Sequence, residues 1–138
     1  MTYDNTSQEP PAEGARLTAA QIFAVAYATG EDELKRSSAG LTLSGVAAGL
    51  GMGLTGLGAA TILAAVGPDA PGAHLLAALL YPIGFIVVVM GRAQLFTENT
   101  LFPVVVVLAT KRHILYTLRL WAIVFVANVV GALLFAVL

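Results

Sequence analysis

The sequence predicts an all-α membrane protein with three transmembrane helices, the second of them broken by a polar loop. Three observations predict it. Of the 138 residues 58% are hydrophobic and only 11% charged, with a mean hydropathy of +0.85, far too apolar for a soluble domain of this size. Uncharged runs from Leu41 to Val66 and from Leu120 to Leu138 are long enough to span, since a spanning helix needs about 20 apolar residues. Finally, the segment Gly91-Arg92-Ala93-Gln94-Leu95-Phe96-Thr97-Glu98-Asn99-Thr100 sets charges, amides and hydroxyls between two further apolar runs. At membrane depth such a segment is tolerated only where protein buries it or where it lines a water-filled path.

Residues 1–16, with two prolines among Ser, Gln, Asn and Glu, carry no periodic apolar pattern and read as a disordered tail. Residues 17–40 read as an amphipathic, juxtamembrane segment. Thr18 with Gln21 fits a capping box and Leu17 with Ile22 a hydrophobic staple, so a helix should start at Thr18 and stop near Gly30. Its Ile22, Phe23 and Val25 would lie either on the membrane surface or against neighbours of their own chain. Glu31 with Lys35, and Asp32 with Arg36, stand four apart in the favourable order for a second helical turn leading to the membrane.

The first span, at about 41–66, places Gly45, Gly49 and Gly53 on one helical face, a spacing that lets another backbone approach closely. Gly67-Pro68-Asp69-Ala70-Pro71-Gly72 is a turn by composition. His74 to Gly91 then gives an uncharged helix of roughly 25 Å, whereas Leu101 to Thr110 is only half a span. Either the decapeptide is a loop after a complete span, or it breaks one long element covering about 74–110. The second is favoured, because Phe102 and Val104 to Val107 are too apolar for an exposed loop. The third span, at about 114–138, opens on the interfacial set Tyr116, Arg119 and Trp121 and runs through Asn128 to Leu138, with no polar flank after it. That ending is expected of one part of a longer polypeptide.

Charge placement gives an orientation. Arg16, Lys35, Arg36, Lys111, Arg112 and Arg119 lie near the N-terminus or before the last span, while the loop after the first span holds only Asp69. The positive-inside rule then puts the N-terminus and Lys111 in the cytoplasm and Asp69 outside, which argues against insertion in both orientations. No basic region precedes an N-terminal apolar run, so the spans themselves should serve as the targeting signal. The chain has no cysteine, which excludes disulfides, thiolate metal sites and Cys nucleophiles. His74 and His113 fall at opposite boundaries and read as surface residues. No catalytic set, metal-ligand spacing or phosphate loop is present, so neither an enzyme, a cofactor nor a nucleic-acid partner is expected.

A broken helix offers backbone N–H groups and a positive dipole end suited to a small anion. In that reading Leu95 and Phe96 narrow the path, Thr97 and Asn99 supply hydrogen-bond donors, and Arg92 either raises the local potential or pairs with Glu98. The bland alternatives are ordinary packing for Leu95 and Phe96 and a structural ion pair or snorkelling for Arg92 and Glu98.

Gln94-Leu95-Phe96-Thr97-Glu98-Asn99-Thr100 after the apolar run from Tyr81 resembles the broken second helix of the formate/nitrite transporter family. Leu120-Trp121 through Asn128-Val129-Val130-Gly131-Ala132-Leu133-Leu134 is similar to its third helix, and Glu31 to Arg36 precede a Gly-rich first helix as they do there. The resemblance covers about Leu17 to Leu138. It implies the first repeat of an aquaporin-like inverted-repeat channel fold, in a homopentamer in the bacterial inner membrane, each protomer passing small monovalent anions such as formate or nitrite. On the matching positions Leu95, Phe96 and Thr97 would form the constriction and loop, and Tyr81 and Phe85 the vestibule. Arg92 and Gln94 depart from the small and acidic residues usual ahead of Leu-Phe-Thr, Glu98-Asn99 replaces the commoner continuation, and the family's central His and nearby Lys have no counterpart here. The competing class is a membrane assembly or regulatory subunit, in which the polar loop binds a partner rather than a solute.

Overall fold

The computed structural model describes residues 16–138; the predicted tail, Arg16 apart, lies outside them. Among the described residues six α-helices follow one another: α1 (Ala19–Lys35), α2 (Ser38–Val66), α3 (Ala73–Leu79), α4 (Pro82–Met90), α5 (Leu101–Thr110) and α6 (Ile114–Val137), with a 3-10 turn at Glu98–Thr100 before α5. Three stretches are long and apolar enough to cross a membrane: α2, Ala73–Met90 taken together, and α6.

The start of α1 is the predicted capping box. Thr18 Oγ1 accepts from the Gln21 N–H, and Gln21 Oε1 accepts from the Thr18 N–H at 2.8 Å. Its end corrects the sequence reading, for the helix runs through Gly30 to Lys35. Gly30 is buried against the Phe102 carbonyl and Val106 of α5, where a Cβ would collide. The glycine therefore serves close approach within the helix and not a left-handed stop after it. Glu31 and Lys35 pair at 3.6 Å as expected. Arg36 instead meets Glu33, at 3.3 Å, and not Asp32, because its extended backbone lies beyond the helix and the four-residue spacing no longer applies. Ile22, Phe23 and Val25 are exposed, with Phe23 stacked on Tyr27 of its own helix.

α2 and α6 form the backbone of the bundle. Along α2, Ser38 receives a hydrogen bond from Arg119, Gly45 faces Ala127, Gly49 faces Asn128 and Gly131, and Gly53 faces Phe135. Partner numbers rise together, so the helices run parallel, in contact at the predicted glycine spacing. A Cβ on Gly49 or on Gly131 would fall inside the other helix's backbone. Lipid tails are as apolar as the side chains, so such contacts and hydrogen bonds hold membrane helices together rather than hydrophobic exclusion.

The chain must return between two parallel helices, and it does so along the opposite face of α2. Leu80 meets Gly58, Gly84 meets Thr55, Val88 meets Gly51, and Gln94 meets Ser44. Contacts thus descend continuously through the decapeptide, and α5 carries on beyond α2 to pack on α1. Ala73–Met90 is long and apolar enough to cross by itself, and the irregular loop and shorter apolar α5 follow it along the same course. An interruption at Leu80-Tyr81 was not foreseen. Pro82 brings no N–H to the ladder, and Thr55 repairs the site by donating to the Tyr81 carbonyl at 2.8 Å and accepting from the Gly84 N–H at 3.2 Å. Two buried clusters fill the bundle: Leu34, Leu41, Val106, Leu120 and Val124 at the end carrying the basic residues, and Ala48, Val88 and Leu95 farther along.

Two substitutions on α2 should part sharply. Gly49→Ala forces α6 away and is expected to cost about 1–3 kcal/mol by overpacking, whereas Gly56→Ala, with nothing within 4 Å of its added methyl, should be neutral or gain up to about 1 kcal/mol of helix propensity. Unfolding of the detergent-solubilised protein measures both. By the same assay Thr55→Val, which keeps the shape and leaves the Tyr81 carbonyl and Gly84 N–H without their partner, should cost about 1–3 kcal/mol.

Candidate functional site

The decapeptide is irregular from Gly91 to Thr97, and its shape follows from where its hydrogen bonds go. The amino side hangs from the preceding helix, with the N–H groups of Arg92 and Ala93 donating to the Val89 and Val88 carbonyls. Arg92 takes a left-handed conformation, φ 49°, which turns the chain out of the helix and leaves this side chain exposed.

Gln94 is the hub. It is 8% exposed, and all four of its polar groups are bonded. Its N–H donates to Ser44 Oγ at 3.0 Å, its carbonyl accepts from Asn128 Nδ2 at 2.9 Å, its Nε2 donates to Glu33 Oε1 at 3.2 Å, and its Oε1 accepts from Asn99 Nδ2. The loop is thereby attached to α1, α2 and α6 through one residue. Asn128 repeats the pattern from α6. Its Nδ2 also donates to the Gly45 carbonyl at 2.9 Å, and its Oδ1 accepts from the Phe96 N–H at 2.8 Å. Trp121 Nε1 donates to the Asn99 carbonyl at 3.1 Å, fixing the far side of the loop.

Within this frame the residues singled out from the sequence take different positions. Leu95 is 8% exposed and packs with Ala48 and Val88. Asn99 is 4% exposed, its amide donating to Gln94 and to the Leu95 carbonyl. Phe96 is half-buried, edge-on to Trp121 and Phe125 with centroids 6.3 and 5.4 Å away. Thr97 is exposed. The loop N–H groups of Ala93, Gln94, Phe96, Glu98 and Asn99 all find acceptors in the chain. Neither the N–H nor the hydroxyl of Thr97 donates to any group among the described residues. Tyr81 and Phe85, one helical turn apart, are 65% and 43% exposed.

Arg92 and Glu98 form no ion pair with each other; the two ion pairs among the described residues are Glu31–Lys35 and Glu33–Arg36. Both instead line a concavity of about 520 Å³ beside the loop, together with Glu33 and Thr97. Its charges balance, with Arg36 on Glu33 and Arg92 offsetting Glu98. No group of three or more His, Cys, Asp or Glu side chains that could hold a metal occurs among the described residues. The arrangement can offer a backbone N–H held in place, a freely turning hydroxyl and an aromatic wall to a small solute.

Sequence reasoning passed over the residues that hold the loop. Ser44 gave no signal in a helix where hydroxyls usually bond to their own backbone. Asn128 did, as a lone amide within an otherwise apolar span.

Residues 20–138 match the profile described as "Formate/nitrite transporter". The chain is 42% identical over 104 residues to the inner membrane protein YfdC of Escherichia coli (strain K12), an alignment covering 74% of this chain and 33% of the relative. It therefore spans about a third of that relative's length. No solved structure matches the chain. With the match running through every helix from α1 to α6, the chain belongs to the formate/nitrite transporter family.

Proposed function

We propose that this chain forms the first half of a path by which small monovalent anions such as formate or nitrite cross the bacterial inner membrane. In this reading it is the first repeat of an aquaporin-like protomer in a homopentamer, with its N-terminus in the cytoplasm. Family membership supports transport. One observation carries the reading to the loop: seven residues without regular structure are held by buried amides, while Thr97 keeps its N–H and hydroxyl free and exposed. Exposed donors without acceptors in the chain can be shared with a passing solute in place of water.

Mechanistically, Tyr81 and Phe85 form the apolar wall of a vestibule, and Phe96, steadied by Trp121 and Phe125, narrows the path. Leu95 and Asn99 back the constriction from inside, where they hold the loop in shape. An anion losing water at Phe96 meets the Thr97 donors, which replace part of its hydration. Low dielectric there raises the pKa of a carboxylic acid, so formate crosses most readily with a proton attached. Charge in the loop concavity is balanced, so the attraction in this half comes from dipoles and not from net positive charge.

The intact protein in liposomes should take up formate or nitrite along an imposed pH gradient; passage of neither, nor of any comparable anion, would sink the proposal. Thr97→Val should lower flux by about tenfold, the worth of one hydrogen bond to a charged group, with assembly unchanged by size-exclusion chromatography. Loss of assembly with flux per assembled protein unaltered would point to the subunit role instead. Asn128→Leu, which strips partners from the Gly45 and Gln94 carbonyls and the Phe96 N–H, should reduce both flux and thermal stability, by about 3 kcal/mol or more in the latter.

A further inference from the structure

At the end of the bundle opposite Asp69, α1, α5 and the start of α6 enclose a second concavity, of about 390 Å³. It is separate from the loop. Its floor is apolar, made by Leu34 and Val106 of the buried cluster. Its rim carries Lys35, His113 and Arg119, with Tyr116 beside His113 and a single carboxylate, Glu31. Glu31 is engaged by Lys35 at 3.6 Å and by the Tyr27 hydroxyl at 3.2 Å. Arg119 meets no carboxylate among the described residues and reaches Ser38 Oγ at 2.6 Å. Lys111 and Arg112, both exposed, add two further positive charges at the adjoining turn.

We propose that this concavity binds the phosphodiester headgroup of an anionic phospholipid. Three features support a lipid over a soluble anion. The concavity opens where membrane-spanning helices end, Ser38 starting α2 and Ile114 starting α6. Beyond Arg119, α6 continues with Ile123, Val126 and Val130, which line an apolar groove with Thr42 and Val46 of α2, a track along which acyl chains can lie. The surplus of cations suits the anionic lipids of a cytoplasmic leaflet, where each basic residue near the surface contributes to the attraction. The tyrosine adds an amphipathic ring at headgroup level. This site depends on α6 being embedded in a bilayer and is independent of which solute crosses the loop.

Native mass spectrometry of the intact, delipidated protein in detergent tests it, with phosphatidylglycerol, phosphatidylcholine and inorganic phosphate as probes. Phosphatidylglycerol should be retained at least about tenfold more strongly than phosphatidylcholine, and the pair Lys35→Gln with Arg119→Gln should lower that preference by about fivefold per charge. Glu31→Gln keeps the acceptor for Tyr27 while freeing Lys35, and should raise phosphatidylglycerol retention by about fivefold. This variant decides the matter should the double variant fail to fold. Equal retention of the two lipids overturns the proposal, as does a preference that Glu31→Gln leaves unmoved. Displacement of phosphatidylglycerol by an equal concentration of inorganic phosphate also overturns it, assigning the site to a soluble anion.

Discussion

One amide side chain ties the bundle together. Asn128 reaches from α6 to the Gly45 carbonyl of α2 and to both the Gln94 carbonyl and the Phe96 N–H of the loop. Unbonded, each of these groups would cost about 1–3 kcal/mol when buried, and in a bilayer no water stands ready to replace the partner. The reach of one short side chain across two helices requires their axes to lie unusually close. Gly45, Gly49 and Gly131 supply that approach, since a methyl at any of them would press on the facing helix. The dependence therefore runs from glycine spacing to helix separation, from helix separation to the Asn128 amide, and from that amide to the shape of the loop that presents Thr97.

How far this was legible in the sequence differs by residue, and the physical reasons can be named. The glycine stripe could be read because close helix packing has a fixed period on one face. The irregular loop could be read because six polar residues among ten between apolar runs conflict with lipid whatever their conformation. Gly30 misled, because a glycine after an amphipathic run signals a stop and an internal close approach with equal force; only the position of Phe102 and Val106 distinguishes them. Asp32 and Arg36 misled because four-residue spacing has meaning only while the helix lasts.

The hydroxyls of α2 show a subtler limit. Thr42 and Thr61 bond back to the carbonyls four residues before them, the ordinary habit of Thr in a membrane helix. Thr55 has the same local sequence options and instead crosses to Tyr81 and Gly84. The difference lies in Gly84, whose missing side chain lets α4 come close enough for the hydroxyl to be shared. No reading of α2 alone finds this. Arg92 and Glu98 are a similar case: spacing within an irregular loop does not dictate contact, and the left-handed turn at Arg92 leaves it exposed at the rim, without an ion pair to Glu98.

A chain of polar contacts also joins the basic end of the protein to the loop. Arg36 holds Glu33, Glu33 accepts from Gln94, Gln94 accepts from Asn99, and the Asn99 carbonyl accepts from Trp121. Glu33 has 18% of its side chain exposed, so its charge is partly desolvated and depends on these two donors. Hydrogen bonds in series polarise one another, and a network fully satisfied is stiffer than its members taken singly. The loop backbone is thus held at several points, and the Thr97 N–H keeps its direction with it, while the hydroxyl is free to turn. Fixed donors matter for a solute that must shed water. A mobile loop would have to be ordered by the anion at the anion's own cost in affinity, whereas dipoles already aligned replace lost hydration without that penalty. Within the loop, Gln94 is the residue whose hydrogen bonds reach α1, α2 and α6 together.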